Sequence, residues 1–220
     1  MNNIRFLTLL SIFLLVFSSI SFANQSPTQI IAEDYNVSQT DIINAQSEGF
    51  SFQDINRASF IALATNQSLE QVIKYKTIAG DWNGTASLAG LTDWHIQYGQ
   101  HALMANQLHN LFDVDKNIVM SLLKQQYHPK AVALASALSQ KANSDLEIVM
   151  SKKSFISWYD VGNQIGLSVA DVDEAIQAIN TAFADRANFG DYYGYHGETY
   201  GYNDSDYYIN GYDMDVVNIK

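Results

Sequence analysis

An internal repeat is the feature that most constrains how this chain can fold. A shift of 77 residues places Val37 on Val114 and Lys76 on Lys153, with further matches in order between them. Together with the matches that continue as far as Leu91, they extend over about 55 residues and indicate duplication of one supersecondary unit. The other pairs in this register are Ile42 with Val119, Phe50 with Tyr127, Ile55 with Val132, Ala58 with Ala135, Leu69 with Leu146, Glu70 with Glu147 and Val72 with Val149.

A tryptophan and a Gly-Leu pair mark the end of each copy. After a one-residue deletion, Trp82 falls on Trp158, and Gly90-Leu91 falls on Gly166-Leu167. We interpret these six residues as structural repeat positions. Each Trp is expected to open a short helix and to fill the space between that helix and its neighbours, as a core aromatic rather than a ligand-stacking residue.

Capping patterns predict many short helices. The pattern Ser-x-x-Asp-(Ile/Val)-x-x-Ala occurs at Ser38, Ser51 and Ser168, and a Ser with an Asp three residues on can satisfy the free amides of a helix start. Ser68 and Ser144 have a related form, and Gly49, Gly90 and Gly166 lie where helices should stop. The predicted helices are 28–34, 39–48, 52–65, 69–79, 84–89, 93–110, 116–126, 130–141, 145–153, 158–165 and 169–186.

These patterns predict an all-α fold. Duplicated helical hairpins, similar to a helix-turn-helix, would form an orthogonal bundle or a short solenoid. The predicted helical domain spans 24–187, with copies at 35–91 and 112–167 and a closing helix after them.

The first 23 residues have the pattern of a cleavable secretory signal peptide. A short segment with one positive charge at Arg5 precedes an apolar stretch from Phe6 to Phe17, and small residues at 21 and 23 favour cleavage after Ala23. The apolar stretch is shorter than the roughly 20 residues of a membrane span. The chain has no cysteine, which excludes disulfides and a cysteine-linked lipid. We therefore expect export to the periplasm or medium of a bacterium, with no stable membrane anchor after cleavage.

The composition changes at about residue 188. Residues 188–220 hold eight of the 13 tyrosines, five of the 12 glycines and six acidic residues. This composition predicts a flexible, low-complexity tail, although Asn210-Gly211 between tyrosine-rich segments is typical of a β-hairpin turn. Because tyrosine supplies rigid contact area with a polar tip, partner contacts are expected at Tyr192, Tyr193, Tyr207 and Tyr208.

The sharpest motif match is a helix-turn-helix DNA reader at 161–172, but charge argues against that function. The second helix would begin with Asp171, Asp173 and Glu174, which repel phosphates. The formal net charge is −11, and basic residues do not cluster along the chain. Nucleic acid is therefore not an expected partner.

No residue is assigned to a catalytic, cofactor-binding or metal-binding role. His95, His101 and His109 share one predicted helix, but none of their spacings is the i, i+4 relation of a helical zinc site. His128 is expected in a turn, and His196 lies in the tail. The tail contains oxygen ligands of the kind that calcium prefers, but their order differs from the helix-loop-helix calcium pattern. These ligands are Asn203, Asp204, Asp206, Asp213 and Asp215.

The sequence favours a binding or scaffold module over an enzyme. There is no Gly-x-Ser-x-Gly motif and no cysteine nucleophile, and no cofactor is indicated. The favoured function is an exported, non-enzymatic helical-repeat protein with an unknown protein or surface partner. The alternative is a small exported hydrolase whose site between the repeats would use Asp93, His95, His101 and His109.

Overall fold

The computed structural model describes residues 26–153 and 156–192, and every regular element in them is an α-helix. The predicted all-α class is confirmed at this level. The predicted signal peptide and residues 193–220 of the predicted tail lie outside the described residues. The helices are α1 (Pro27–Tyr35), α2 (Gln39–Ser47), α3 (Phe52–Thr65), α4 (Leu69–Ala79), α5 (Trp82–Leu88), α6 (Asp93–Phe112), α7 (Lys116–Lys124), α8 (Pro129–Ala142), α9 (Leu146–Lys153), α10 (Trp158–Gln164) and α11 (Val169–Tyr192).

Each of the eleven predicted helices is present among the described residues, with two notable differences in their ends. Helix α5 begins at Trp82 rather than at 84, because the Asp81 side chain accepts a hydrogen bond from the amide of Gly84 and caps the helix. Helix α11 continues to Tyr192 rather than ending at 186. Helix α11 therefore extends into the first residues of the predicted tail, and Tyr192 lies at its end.

The capping predictions hold at most sites. Ser51 and Asp54 form the reciprocal pair that starts α3, and Ser168 and Asp171 form the same pair at α11. At α2, Ser38 accepts instead from the amide of Thr40. The prediction at Ser144 is wrong, because the carboxylate of its neighbour Asp145 accepts the hydrogen bond from the amide of Glu147.

Glycine ends the short helices where the sequence predicted it. Gly90 and Gly166 have φ angles of 70° and 83°, in the left-handed region that favours glycine. The next amide then turns back into the helix: Leu91 donates to the carbonyl of Ala86 at 2.9 Å, and Leu167 donates to that of Gly162 at 2.8 Å. Both leucines pack against a hydrophobic core, so the Gly-Leu pairs terminate the helix and anchor the chain that leaves it.

The buried apolar residues form two clusters, one in each half of the chain. The first core draws on α1 to α5 and on the beginning of α6. The second core draws on the remainder of α6 and on α7 to α11. Helix α6 contacts α1 and α3 on one side and α7 and α8 on the other, so it is shared by both cores.

Close backbone approach and a buried polar cluster fix α6 against the first core. A Cβ atom built at Gly99 would lie 2.8 Å from the Cβ of Ala64, so glycine is needed where α6 crosses α3. Further along α6, the Asn106 side chain donates to the carbonyl of Asp34 at 2.8 Å, and the Gln107 side chain donates to the Asp34 carboxylate at 3.1 Å. These buried hydrogen bonds satisfy polar groups that would otherwise be costly to bury.

No helix in the described residues is both long enough and apolar enough to cross a bilayer.

Candidate functional site

Two aromatic side chains form an exposed stack on the first turns of α6. Trp94 is 65 % exposed and Tyr98 is 37 % exposed. Their ring centroids are 5.6 Å apart and the ring planes differ by 13°, which is a stacked arrangement. The His95 ring meets Trp94 edge-on at 5.1 Å. We call Trp94 and Tyr98 the α6 aromatic pair.

The local sequence explains why this pair is held in place. Thr92 caps α6, and its hydroxyl oxygen accepts from the amide of His95 at 3.4 Å. The Nδ1 atom of His95 lies 2.7 Å from the same hydroxyl. Residues four apart on a helix lie on one face, so the Tyr98 ring reaches Trp94. The pair therefore stands on a capped helix rather than on a loop, which limits the entropy lost when a partner binds.

An exposed, rigid aromatic pair is suited to binding. Trp and Tyr bring large apolar area with a polar group at the ring edge, and both are enriched where proteins contact partners. The α6 aromatic pair was not predicted from the sequence, because the repeat pairs Trp82 with Trp158 and has no aromatic residue that corresponds to Trp94. The available signal was an i, i+4 Trp-Tyr spacing in a predicted helix.

Another tryptophan, Trp82, has two cationic side chains near its ring. The Arg57 guanidinium carbon lies 5.9 Å from the centroid of the half-buried Trp82 ring, and the Lys76 ammonium lies 5.4 Å from it. Lys76 also donates to the carbonyl of Gly80 at 2.7 Å. Among the side chains that the structure describes, in residues 26–153 and 156–183, no carboxylate lies within ion-pair distance of Arg57 or Lys76. We call Arg57, Lys76 and Trp82 the Trp82 cluster.

The predicted packing role fits Trp158 better than Trp82. Trp158 is 0 % exposed and is the largest fully buried side chain in the described residues. Trp82 packs on the first core but stays half-buried, so it fills the space beside its helix less completely than Trp158 does. A Lys ammonium lies near both rings, at 5.4 Å from Trp82 and 5.3 Å from Trp158, so the neighbour that distinguishes Trp82 is the Arg57 guanidinium.

The histidines are not brought to one site. His95 interacts with Thr92 at the start of α6, and His109 Nδ1 lies 2.9 Å from the carbonyl of Val114 beyond its end. Fourteen residues of α-helix separate the two histidines by roughly 21 Å. His128 accepts from the amide of Lys130 and caps α8. In the part of the chain that the structure describes, no three His, Cys, Asp or Glu residues are grouped to hold a metal.

The residues expected at the alternative hydrolase site are therefore not all brought together. Asp93 and His95 lie at one end of α6, and His109 lies at the other. His101, between them, is buried, and the charge of Lys124 contributes to lowering the pKa of its imidazole. The tail oxygens that do not match the calcium pattern lie outside the described residues, as does His196.

His101 should make stability depend on pH. Burial, and secondarily the charge of Lys124, lower the pKa of its imidazole below the ordinary value. The unfolded chain then binds the proton more readily, so stability is greatest above the unfolded pKa of about 6.5 and decreases as pH falls through it. Urea unfolding at pH 7.5 and 5.5 should show a smaller loss on acidification for His101→Gln than for the wild type. Equal losses would contradict this role.

A scan against protein family models, a search of curated proteins and a search of solved structures each found no match to this chain.

Proposed function

We propose that this chain is an exported, non-enzymatic helical-repeat protein that acts as a binding or scaffold module. The observation that carries the proposal is the α6 aromatic pair. Burying an exposed Trp ring of this kind against a partner contributes about 25 cal/mol for each Å² of apolar area removed from water. A side chain that is 65 % exposed offers much of its area for that purpose.

The positions of the helices support duplication of a helical unit. Helices α2 to α6 begin at 39, 52, 69, 82 and 93, and α7 to α11 begin at 116, 129, 146, 158 and 169. Each start in the second series lies 77 or 76 residues after its counterpart, which is the register of the sequence repeat. Helix α1 corresponds in the same register to the second half of α6.

The backbone supports the same register at its least common conformations. Positive φ angles are unusual outside glycine, so their positions are informative. Of the positions with positive φ in the described residues, all but Gly80 form pairs 77 or 76 residues apart. These pairs are Asn36 with Asp113, Gly49 with Gln126, Asn66 with Asn143 and Gly90 with Gly166.

The proposal includes the location of the protein and the kind of partner that it binds. The signal-peptide pattern at 1–23 favours a periplasmic or extracellular location in a bacterium, where the partner would be a protein or a cell-surface component. The acidic chain is unsuited to nucleic acid. Tyr193, Tyr207 and Tyr208 in the tail, and Tyr192 at the end of α11, would add contact area for the partner.

Replacing Trp94 with Ala should weaken partner binding at least tenfold while the fold is retained, because the ring is exposed and contributes little to the core. The full chain is expressed in its source cells with an affinity tag, and the start of the exported form is read by mass spectrometry. Partners are crosslinked in place, recovered and quantified. If the signal peptide is cleaved after Ala23, the exported chain should begin at Asn24.

The matched control is Ile78→Ala, which removes another exposed apolar side chain, at the end of α4. This variant should recover the same partners as the wild type. Equal recovery with Trp94→Ala would contradict the role of the α6 aromatic pair. A chain that ends at Tyr192 separates the contribution of the tail, since loss of partners in that variant alone would place binding there.

A further inference from the structure

The two tryptophans at repeat positions have the same cationic neighbour. Lys76 corresponds to Lys153 in the 77-residue register, and Lys153 Nζ lies 5.3 Å from the Trp158 ring centroid, against 5.4 Å for Lys76 and Trp82. Each ammonium also reaches a carbonyl just beyond its helix, that of Ile156 at 3.3 Å or that of Gly80 at 2.7 Å. A Lys packed on a Trp ring is therefore common to both halves of the molecule.

The two pairs differ in their surroundings. Lys153 and Trp158 are 1 % and 0 % exposed, so the second pair is closed to ligands. The corresponding pair, Lys76 and Trp82, is only half-buried. The residue that corresponds to Arg57 in the second half is Leu134, which is fully buried in the second core. The first half thus carries an extra cation at the place where the second half has an apolar core residue.

The open pair has donors that the protein does not use. Within the described residues, Arg57 shows only its contact with the Trp82 ring, and Lys76 uses one of its three N–H groups on Gly80. Arginine resting on an aromatic ring keeps a fork of N–H donors that matches the two oxygens of a carboxylate. The chain has 23 acidic residues, yet none of those described is within ion-pair distance of either cation.

We propose that the Trp82 cluster is a binding site for a ligand that carries a carboxylate next to an apolar or planar group. Arg57 and Lys76 supply the charge-assisted hydrogen bonds, and the exposed part of the Trp82 ring contacts the apolar group. A ligand with a single negative charge also suits the site better than a polyanion, because the chain as a whole has a net charge of −11. This site is independent of the α6 aromatic pair.

The test uses benzoate as the probe and its neutral amide, benzamide, as the matched ligand. The chain contains three tryptophans, so a ¹H–¹⁵N spectrum of the full-length protein resolves three indole N–H signals. Sodium benzoate is titrated at constant ionic strength. We expect a saturable shift of the Trp82 signal with benzoate, no saturation with benzamide, and no change at the buried Trp158.

Variants separate a specific site from general charge. Arg57→Leu, which introduces the residue type of Leu134, should weaken benzoate binding at least tenfold, and so should Lys76→Gln. Lys74→Gln is the control, because Lys74 lies on the same helix but is exposed and paired with Glu70 at 2.6 Å. It should change affinity less than twofold. An unshifted Trp158 signal shows that each variant remains folded.

Three results would overturn the proposal. The first is a benzoate shift at Trp82 that does not saturate, and the second is equal binding of benzamide, which would indicate contact with the ring alone. The third is a loss with Lys74→Gln as large as that with Lys76→Gln, which would indicate attraction by net charge.

Discussion

Replacing Trp158 with Ala should lower the free energy of unfolding by about 3 to 5 kcal/mol, the range for deleting a large aromatic side chain from a core. The side chain is fully buried and belongs to the second core, so its removal leaves a cavity that the surrounding helices cannot fill completely. Lys153 would also lose the ring that covers its buried ammonium. Both effects act in the same direction.

The matched substitution Trp82→Ala should cost less, about 1 to 2 kcal/mol, because part of the ring is in contact with water in the folded state. Urea unfolding followed by far-UV circular dichroism measures both variants under the same conditions. The slope of the transition should remain that of the wild type if only stability changes. Equal losses for the two variants would contradict the different burial of the two tryptophans, and an unchanged Trp158→Ala would contradict the packing role altogether.

The helices could be predicted from the sequence because their signals are local. Ser51 with Asp54 and Ser168 with Asp171 start helices through contacts three residues apart, and Gly90 and Gly166 end them by their own backbone freedom. Ser144 shows the limit of this reasoning, since the choice between adjacent acceptors was made by Asp145. The charged carboxylate binds an amide more strongly than a hydroxyl does.

The candidate sites could not be predicted in the same way, because burial is decided by residues distant in sequence. Trp82 and Trp158 lie in the same local sequence pattern. Their surroundings differ at residues more than 20 positions upstream, which are Arg57 in the first half and the buried Leu134 in the second. Trp94 lay in a correctly predicted helix, yet its exposure depends on which face of α6 the two cores occupy. Sequence periodicity alone does not resolve that choice.

Disrupting helix α6, which both cores share, should destabilise both halves of the molecule. Met104 lies near the middle of this helix, where its packing passes from the first core to the second. Met104→Pro would remove the hydrogen bond to the carbonyl four residues earlier and clash with that carbonyl, at a cost of about 3 kcal/mol or more. Since α6 contacts α1 and α3 as well as α7 and α8, we expect both cores to lose stability.

The indole signals of Trp82 and Trp158 report the two halves separately in one urea titration of Met104→Pro. Coupled halves predict that both signals disappear together, at a lower urea concentration than in the wild type. Asp93→Pro is the control, because proline at the first helical position leaves the hydrogen bonds of α6 intact and should cost under about 1 kcal/mol. If one signal kept its wild-type midpoint in Met104→Pro, the halves would be independent domains, and α6 would join them without coupling their folding. A common shift would mean that a duplicated unit gained cooperativity by placing the last helix of one copy and the first helix of the next in a single continuous element.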